Sequence, residues 1–471
     1  MRQWIEGLGP LEIKDEKHSN ISSLVKLDPN LDWIEQDTSR LGSTLKVIIE
    51  SERFDKHYYV GLKPGVGNPI FRNEDIYRNM EYTDEGLKLL SLFRYWCIIE
   101  YFFPYRYLMD QDWDTILLEF IPKIIGVNDE LSYKLVLLEL IGKIQDTHAN
   151  IWQNDAILDS YWGKHTPPIV VRFIEGKFVV TKVLDKLSGT DALTVGDVIT
   201  QVNGKDIMAL MEEKIKYCPA SNRPTQIRDV AKKLLRTNQK IIDVNVEGKG
   251  ELRLHCVNIS DLDLQNKNLA SHKLLNSNIG YIYPGSLKKD EIHEIMDKFL
   301  QTEGLIIDLR CYPSDFIVFS LSQYLLSKPT AFVKFTTGNL RKPGQFLFTK
   351  PLKVGKINNN AYVGKVIIIV DETTQSQAEY TAMALRASPQ ATIIGSTTAG
   401  ADGNVSEIFL PGNIRTMISG IGVYYPDGRE TQRVGIIPDK EIKPTIKSIA
   451  NDKDELLEYA IDLIEREYPG R

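Results

Sequence analysis

Apolar positions follow three successive patterns along the chain. From about residue 82 they recur at helical spacing. EGLKLLSLFRYWCIIEYFF (85–103), TILLEFIPKIIG (115–126) and SYKLVLLELIGKIQDTHANI (132–151) each predict a helix. The aromatic cluster of the first run (Phe93, Tyr95, Trp96, Tyr101, Phe102, Phe103) reads as core. From 167 the pattern turns strand-like: PPIVVRFIEGKFVVTKVLD (167–185) predicts two strands around a Glu-Gly turn. In LTVGDVITQVNGKDI (193–207), Gly196-Asp197 and Asn203-Gly204 bracket a short strand between two turns. Beyond about 275, strand-like runs such as SNIGYIYPGSL (277–287), GLIIDLR (304–310), VIIIV (366–370) and ATIIGS (391–396) alternate with helical stretches. That alternation predicts an α/β layer built on a largely parallel sheet.

The first 78 residues are mixed. TLKVIIE (44–50) and HYYVGL (57–62) read as short strands, followed by a Gly/Pro/Asn turn cluster at 64–75. The expected organisation is an N-terminal region (1–78), a helical domain (79–160), a β domain (166–258) and an α/β core (270–471).

Composition narrows the class. The chain has 471 residues, 42% hydrophobic and 25% charged, which suits a soluble multidomain globular protein. A net charge of −6 gives no reason to expect nucleic acid as a partner. No apolar run approaches the roughly 18 residues of a membrane span, and MRQWIEGLGPLEIKDEKHSN lacks the apolar segment of a signal peptide. Four scattered cysteines (Cys97, Cys218, Cys256, Cys311) form no C-x-x-C pair, and no H-E-x-x-H or comparable ligand set occurs. No metal or other cofactor is expected.

Candidate chemistry centres on DETTQSQAEY (371–380), which joins the run VIIIV to a helical stretch. Active groups in α/β folds sit at the carboxyl ends of strands, and Ser376 lies there. Ser376 with Glu379 is equally a capping box, so local sequence leaves nucleophile and helix cap both open.

Five further strings carry a resemblance: QDTHAN (145–150), LTVGDVITQVNGKDI, IIDLRCYPSD (306–315), GSTTAG (395–400) and RVGIIPDKEI (433–442). LTVGDVITQVNG resembles the turn–strand–turn signature of PDZ domains, which bind extended peptides by strand addition. Together with SQAEYTAMAL, the strings resemble the C-terminal processing peptidases, or tail-specific proteases. The resemblance implies a ClpP/crotonase-like α/β core with an inserted PDZ-like domain and an N-terminal helical domain. It also implies a serine peptidase acting on peptide or protein substrates, in the periplasm or at the cell surface. Family members with a Ser–Lys dyad carry the lysine in a T-F-G-K-G string. TTAGADG (397–403) has Ala401 at that position.

The tricorn-like branch of the family instead draws its base from a distant histidine. His148 in DTHAN takes that position, with Thr147 as the preceding hydroxyl that would orient the ring. Relay candidates are Glu430 and Gln432 in DGRETQRVG, with Asp146 as a third, although side chains two apart on a helix diverge. By the same resemblance, the oxyanion donors would be the N–H of Gln377 and that of Ser314, where the family has a Gly-Gly pair. Asp315, if turned inward, would oppose the oxyanion. The alternative is an inactive pseudopeptidase that binds extended chains through its PDZ-like domain and cleft.

Overall fold

In the central strand Lys365–Val370, alternate side chains enter two different cores. Val366, Ile368 and Val370 pack with the helices Val318–Leu325 and Gln377–Arg386. Ile367 and Ile369 pack with Leu456, Ala460 and Ile464 of the C-terminal helix Glu455–Glu467. A strand covered on both faces by helices is a buried interior strand, which is why the run is apolar without alternation. The computed structural model describes residues 7, 24–51, 57–184, 192–262, 269–275 and 278–467.

The central sheet has the spatial order His272–Leu275, Ile279–Ile282, Gly304–Asp308, Lys365–Val370, Ala391–Gly395, Lys440–Glu441. Its first pair is antiparallel and the rest are parallel. Gly395 ends its strand at φ +123, and a Cβ there would lie 1.8 Å from the Val370 carbonyl oxygen, so only glycine fits. A second, antiparallel sheet joins Val25–Leu27, Phe346–Phe348, Thr330–Gly338, Leu352–Val354 and Gly422–Tyr424.

Residues 165–258 form a separate β unit. Its sheet runs Gly250–His255, Ile241–Val246, Val198–Val202, Lys177–Val183, Ile169–Ile174, so that Ile169–Ile174 is an edge strand. The helices Ile207–Lys214 and Arg223–Ala231 complete it.

Three helices, Glu85–Phe102, Trp113–Ile125 and Glu130–Gly142, each start on an aspartate N-cap: Asp84, Asp112 and Asp129. Their apolar faces do not close on themselves. Leu92, Tyr95, Ile99, Leu137 and Ile141 share one core with Ile408, Leu410, Ile414 and Ile418 of the hairpin Val405–Leu410/Ile414–Ser419. The helical segment therefore shares its core with a hairpin from more than 250 residues later. No described helix is long and apolar enough to cross a membrane.

Two expectations are corrected. Residues 44–50 are helical, within Arg40–Glu50, because Ser39 caps the N–H groups of Leu41 and Gly42, and Leu41, Leu45 and Ile48 recur at helical spacing. The helix expected to run through 151 stops at Gly142, leaving DTHAN in a turn where Gln145 has φ +53.

Because Ile418 fills the helical core, Ile418→Ala should cost about 2–5 kcal/mol. Denaturant unfolding by far-UV circular dichroism checks this. A shift within error would show that the hairpin contributes little to that core.

Candidate active site

The turn after the central strand is built by its own polar residues. Asp371 Oδ1 accepts from Thr373 N (2.8 Å), and Asp371 N donates to Thr374 Oγ1 (3.1 Å). The Thr374 hydroxyl then donates to the Leu309 carbonyl of the neighbouring strand end (2.8 Å). This clip delivers Ser376 at the N-cap of Gln377–Arg386 with φ 56 and ψ −118. That region is sparsely populated by non-glycine residues and persists only where surroundings enforce it. The enforcing groups are close: Ser376 N–H donates to Ala401 O (3.0 Å) and to Glu379 Oε2 (3.1 Å). Glu379 is buried and also accepts from Gly400 N (2.8 Å), Ala401 N (3.0 Å) and the Thr398 hydroxyl.

DTHAN approaches the same loop from the helical side. Thr147 Oγ1 donates to Ala399 O (3.2 Å), two residues from the carbonyl that holds Ser376. His148 is buried, and its Nδ1 lies 2.9 Å from Ser419 Oγ. That hydroxyl donates to Asp146 Oδ1 (3.0 Å), and Asp146 Oδ2 accepts from Ser419 N (2.6 Å). Asp146 Oδ1 also accepts from His148 N (3.1 Å) and stands 3.6 Å from His148 Nδ1. Burial pushes the Asp146 carboxyl up, but His148 and the backbone N–H groups of Ser419 and His148 outweigh it, leaving it below its ordinary value. His148 Nε2 is buried with no hydrogen-bond partner, so no hydrogen bond joins it to Ser376.

The expected relay is rearranged. Thr147 does not orient the ring, because its hydroxyl is engaged with Ser221, whose Oγ lies 3.0 Å away and whose N–H donates back (2.9 Å). Ser419 holds the ring instead. Asp146 and His148 converge because they sit in a turn, not on a helix. Gln432 is buried and reaches only Ser221 Oγ (3.5 Å) through Nε2. Glu430 accepts from Lys26 Nζ (2.8 Å) and Tyr107 OH (3.0 Å), pinning the N-terminal strand instead of facing His148.

Of the expected oxyanion donors, Gln377 opens its helix, where the N–H has no intrahelical acceptor. Ser314 does not serve: its N–H donates to Pro284 O (3.0 Å). Asp315 is exposed, and its carboxylate accepts from Lys289 N (3.0 Å) and Phe316 N (2.7 Å).

The β unit of residues 165–258 grips both halves of the site. Arg172, on the edge strand, pairs with Asp371 (2.8 Å) and Glu372 (2.6 Å). Arg228 donates to Glu372 O (2.7 Å) and Gln375 Oε1 (3.1 Å). Asn222 Nδ2 donates to Thr398 O (2.9 Å) and Arg433 O (3.1 Å). Arg172, Arg228, Ser221 and Ser419 were not singled out from sequence. Each is an ordinary surface or strand residue in its local context, and only its distant partner distinguishes it. Among the described residues, no group of three or more His, Cys, Asp or Glu side chains is placed to hold a metal ion.

Residues 278–442 match the profile described as Peptidase family S41. Among solved structures, the chain is similar to mature CPAF complexed with lactacystin, at 13% identity and a TM-score of 0.61 over 81% of this chain and 98% of that one. Mature CPAF in a second structure gives 14%, 0.60, 81% and 97%. A protein of Parabacteroides merdae described as a candidate peptidase gives 15%, 0.50, 81% and 96%. No curated protein sequence matches the chain. At these identities the structures speak for the fold alone. The profile match lies within the α/β core.

Asp402, beside Ala401, is a buried carboxyl whose Oδ2 has no partner. Burial pushes it well above the carboxylate range, and the nearby Glu379 adds to the rise. A group whose pKa is raised by folding stabilises the fold most at low pH, and that contribution is lost as pH climbs through the folded pKa. Asp402→Asn should therefore raise the Tm at pH 8, with a gain that shrinks toward pH 4. A pH series of thermal melts tests this, and an equal or reversed effect across the range would refute it.

Proposed function

We propose that this chain is a serine endopeptidase that cuts peptide or protein substrates through an acyl-enzyme on Ser376, with His148 Nε2 as general base. One observation carries the reading: His148 Nε2 is buried and unpartnered while Nδ1 is held by Ser419 and Asp146. Because the Ser419 hydroxyl donates to Asp146, its oxygen is left to accept from Nδ1–H. That fixes the tautomer with its lone pair on Nε2. The carboxylate 3.6 Å away stabilises the imidazolium once it forms.

In the reaction, Ser376 Oγ attacks the scissile carbonyl carbon as its proton passes to Nε2. The C–N bond then breaks, and the proton moves to the leaving amine. Water, deprotonated by Nε2, resolves the ester and returns the proton to Ser376. The Ser376–His148 hydrogen bond closes in the substrate complex, as catalytic contacts that are open without substrate do. Gln377 N–H, at the positive end of a helix dipole, meets the oxyanion. With the Ser314 N–H engaged elsewhere, turnover should run about 10²–10³ below that of a two-donor site.

In the same reading the β unit is PDZ-like. Its edge strand Ile169–Ile174 takes an extended substrate segment by strand addition, and Arg172 couples that strand to the nucleophile turn. The resemblance to C-terminal processing peptidases supports an extracytoplasmic site of action. The competing reading, a pseudopeptidase that holds extended chains without cutting them, draws on the engaged Ser314 N–H and the neutral Gln432.

A fluorophosphonate probe separates the two. Labelling of the wild type that vanishes in Ser376→Ala and falls at least about 10³-fold in His148→Ala is expected. A wild type that stays unlabelled from pH 5 to 9 would leave the pseudopeptidase reading standing. For the positioning pair, Asp146→Asn and Ser419→Ala should lower kcat/KM by about 10²-fold or more. The loss should fall on kcat with KM little changed, and a loss confined to KM or to the Tm would assign Asp146 a purely structural role.

A further inference from the structure

We infer that the substrate residue flanking the scissile bond is a large apolar side chain, preferably aromatic, seated on a shelf formed by Phe316, Phe319 and Tyr380. This rests on the peptidase reading of Ser376. The shelf is tied to the nucleophile at two points. Tyr380 N–H donates to Ser376 O (3.0 Å), placing the ring one turn into the helix that Ser376 caps. Gln377 Nε2 donates to Asp315 O (2.6 Å), which pins the backbone just before Phe316 to the residue after Ser376.

The rings support one another. Phe316 stacks on Tyr380 with centroids 6.2 Å apart and planes 22° from parallel, and Phe319 lies 5.9 Å from Phe316. Beneath them Phe332, only 2% exposed, meets Tyr380 (5.2 Å, 62°) and Phe319 (6.4 Å, 84°) edge to face. These are favoured aromatic geometries, so the platform is rigid before anything binds. Yet Phe316 remains 45% exposed and Phe319 42%. Half-exposed rings on a rigid buried floor, joined directly to a nucleophile, offer one face to a further ring or branched apolar group.

The local charge gives a basic occupant little to gain. The N-terminus of the ten-residue helix Gln377–Arg386 carries positive partial charge at the edge of the shelf. Asp315, the carboxylate of the loop, already accepts from the N–H groups of Lys289 and Phe316. A lysine or arginine side chain would meet the helix's positive end there, beside a carboxylate already partly satisfied by backbone donors.

The test is a fluorogenic peptide library varied at the two residues flanking the cut, run on the full chain alongside fluorophosphonate labelling. Wild type should cleave Phe, Tyr or Leu peptides about tenfold or more faster, in kcat/KM, than Ala or Lys peptides. Phe316→Ala should lose about tenfold more on the aromatic peptides than on Ala peptides, and Phe316→Leu should restore most of the preference. A labelled enzyme that cuts Ala, Lys and Phe peptides equally, or a Phe316→Ala loss equal on all of them, overturns the shelf and leaves the peptidase reading intact. A wild type that neither labels nor cuts overturns both.

Discussion

One buried carboxylate holds the site together. Glu379 accepts from the backbone N–H groups of Ser376, Gly400 and Ala401 and from the Thr398 hydroxyl. Burial pushes its pKa up, and those donors pull against the rise. A buried charge is tolerable only when its lone pairs are satisfied, and hydrogen bonds to a charged group contribute about 1.5–3 kcal/mol each. That sum is enough to hold Ser376 at its positive φ, which costs on the order of 1–3 kcal/mol. The helix that Ser376 caps and the loop 398–401 are thus tied into one piece. The rest of the arrangement is built onto that piece.

The histidine arrives by a different constraint. Three helices cannot bury their apolar faces without the hairpin Val405–Leu410/Ile414–Ser419. Closing that core sets the end of the hairpin against DTHAN, where Ser419 meets both Asp146 and His148. Core packing and ring orientation are therefore one event. The β unit adds a third tie, since Ser221 engages Thr147 on the histidine side, and Asn222, Arg172 and Arg228 engage the serine side. A change in its seating would act on both halves together.

The position where the resemblance to C-terminal processing peptidases would put a lysine is closed here. Ala401 is fully buried, and its N–H and C=O are both consumed in holding Glu379 and Ser376. An ammonium at this position would need space and acceptors that the loop already uses. In the proposed reaction the base has to come from elsewhere, and Nε2 of His148 is a buried, unpartnered nitrogen whose neighbour Thr147 touches the same loop.

The local elements were largely legible in the chain itself. Unbroken apolar runs marked the core strands of 279–467 and helical spacing marked the helices there and in 85–142, because each pattern reflects which faces meet a core at short range. The strand-to-helix turn at Ser376 and the DTHAN string were legible for the same reason: a few adjacent residues carry them. Residues 44–50 misled, because a β-branched run outweighed the Ser39 cap that makes them helical. What tertiary structure alone decided was partnership. Glu430 had the right type and Ser314 the right place, yet Glu430 is taken by Lys26 and the Ser314 N–H by Pro284. Ser419, with no motif of its own, became the ring's partner. Spacing along a chain constrains what neighbours can do, but a hydrogen bond between residues 271 apart is set by which hydrophobic faces must be buried together.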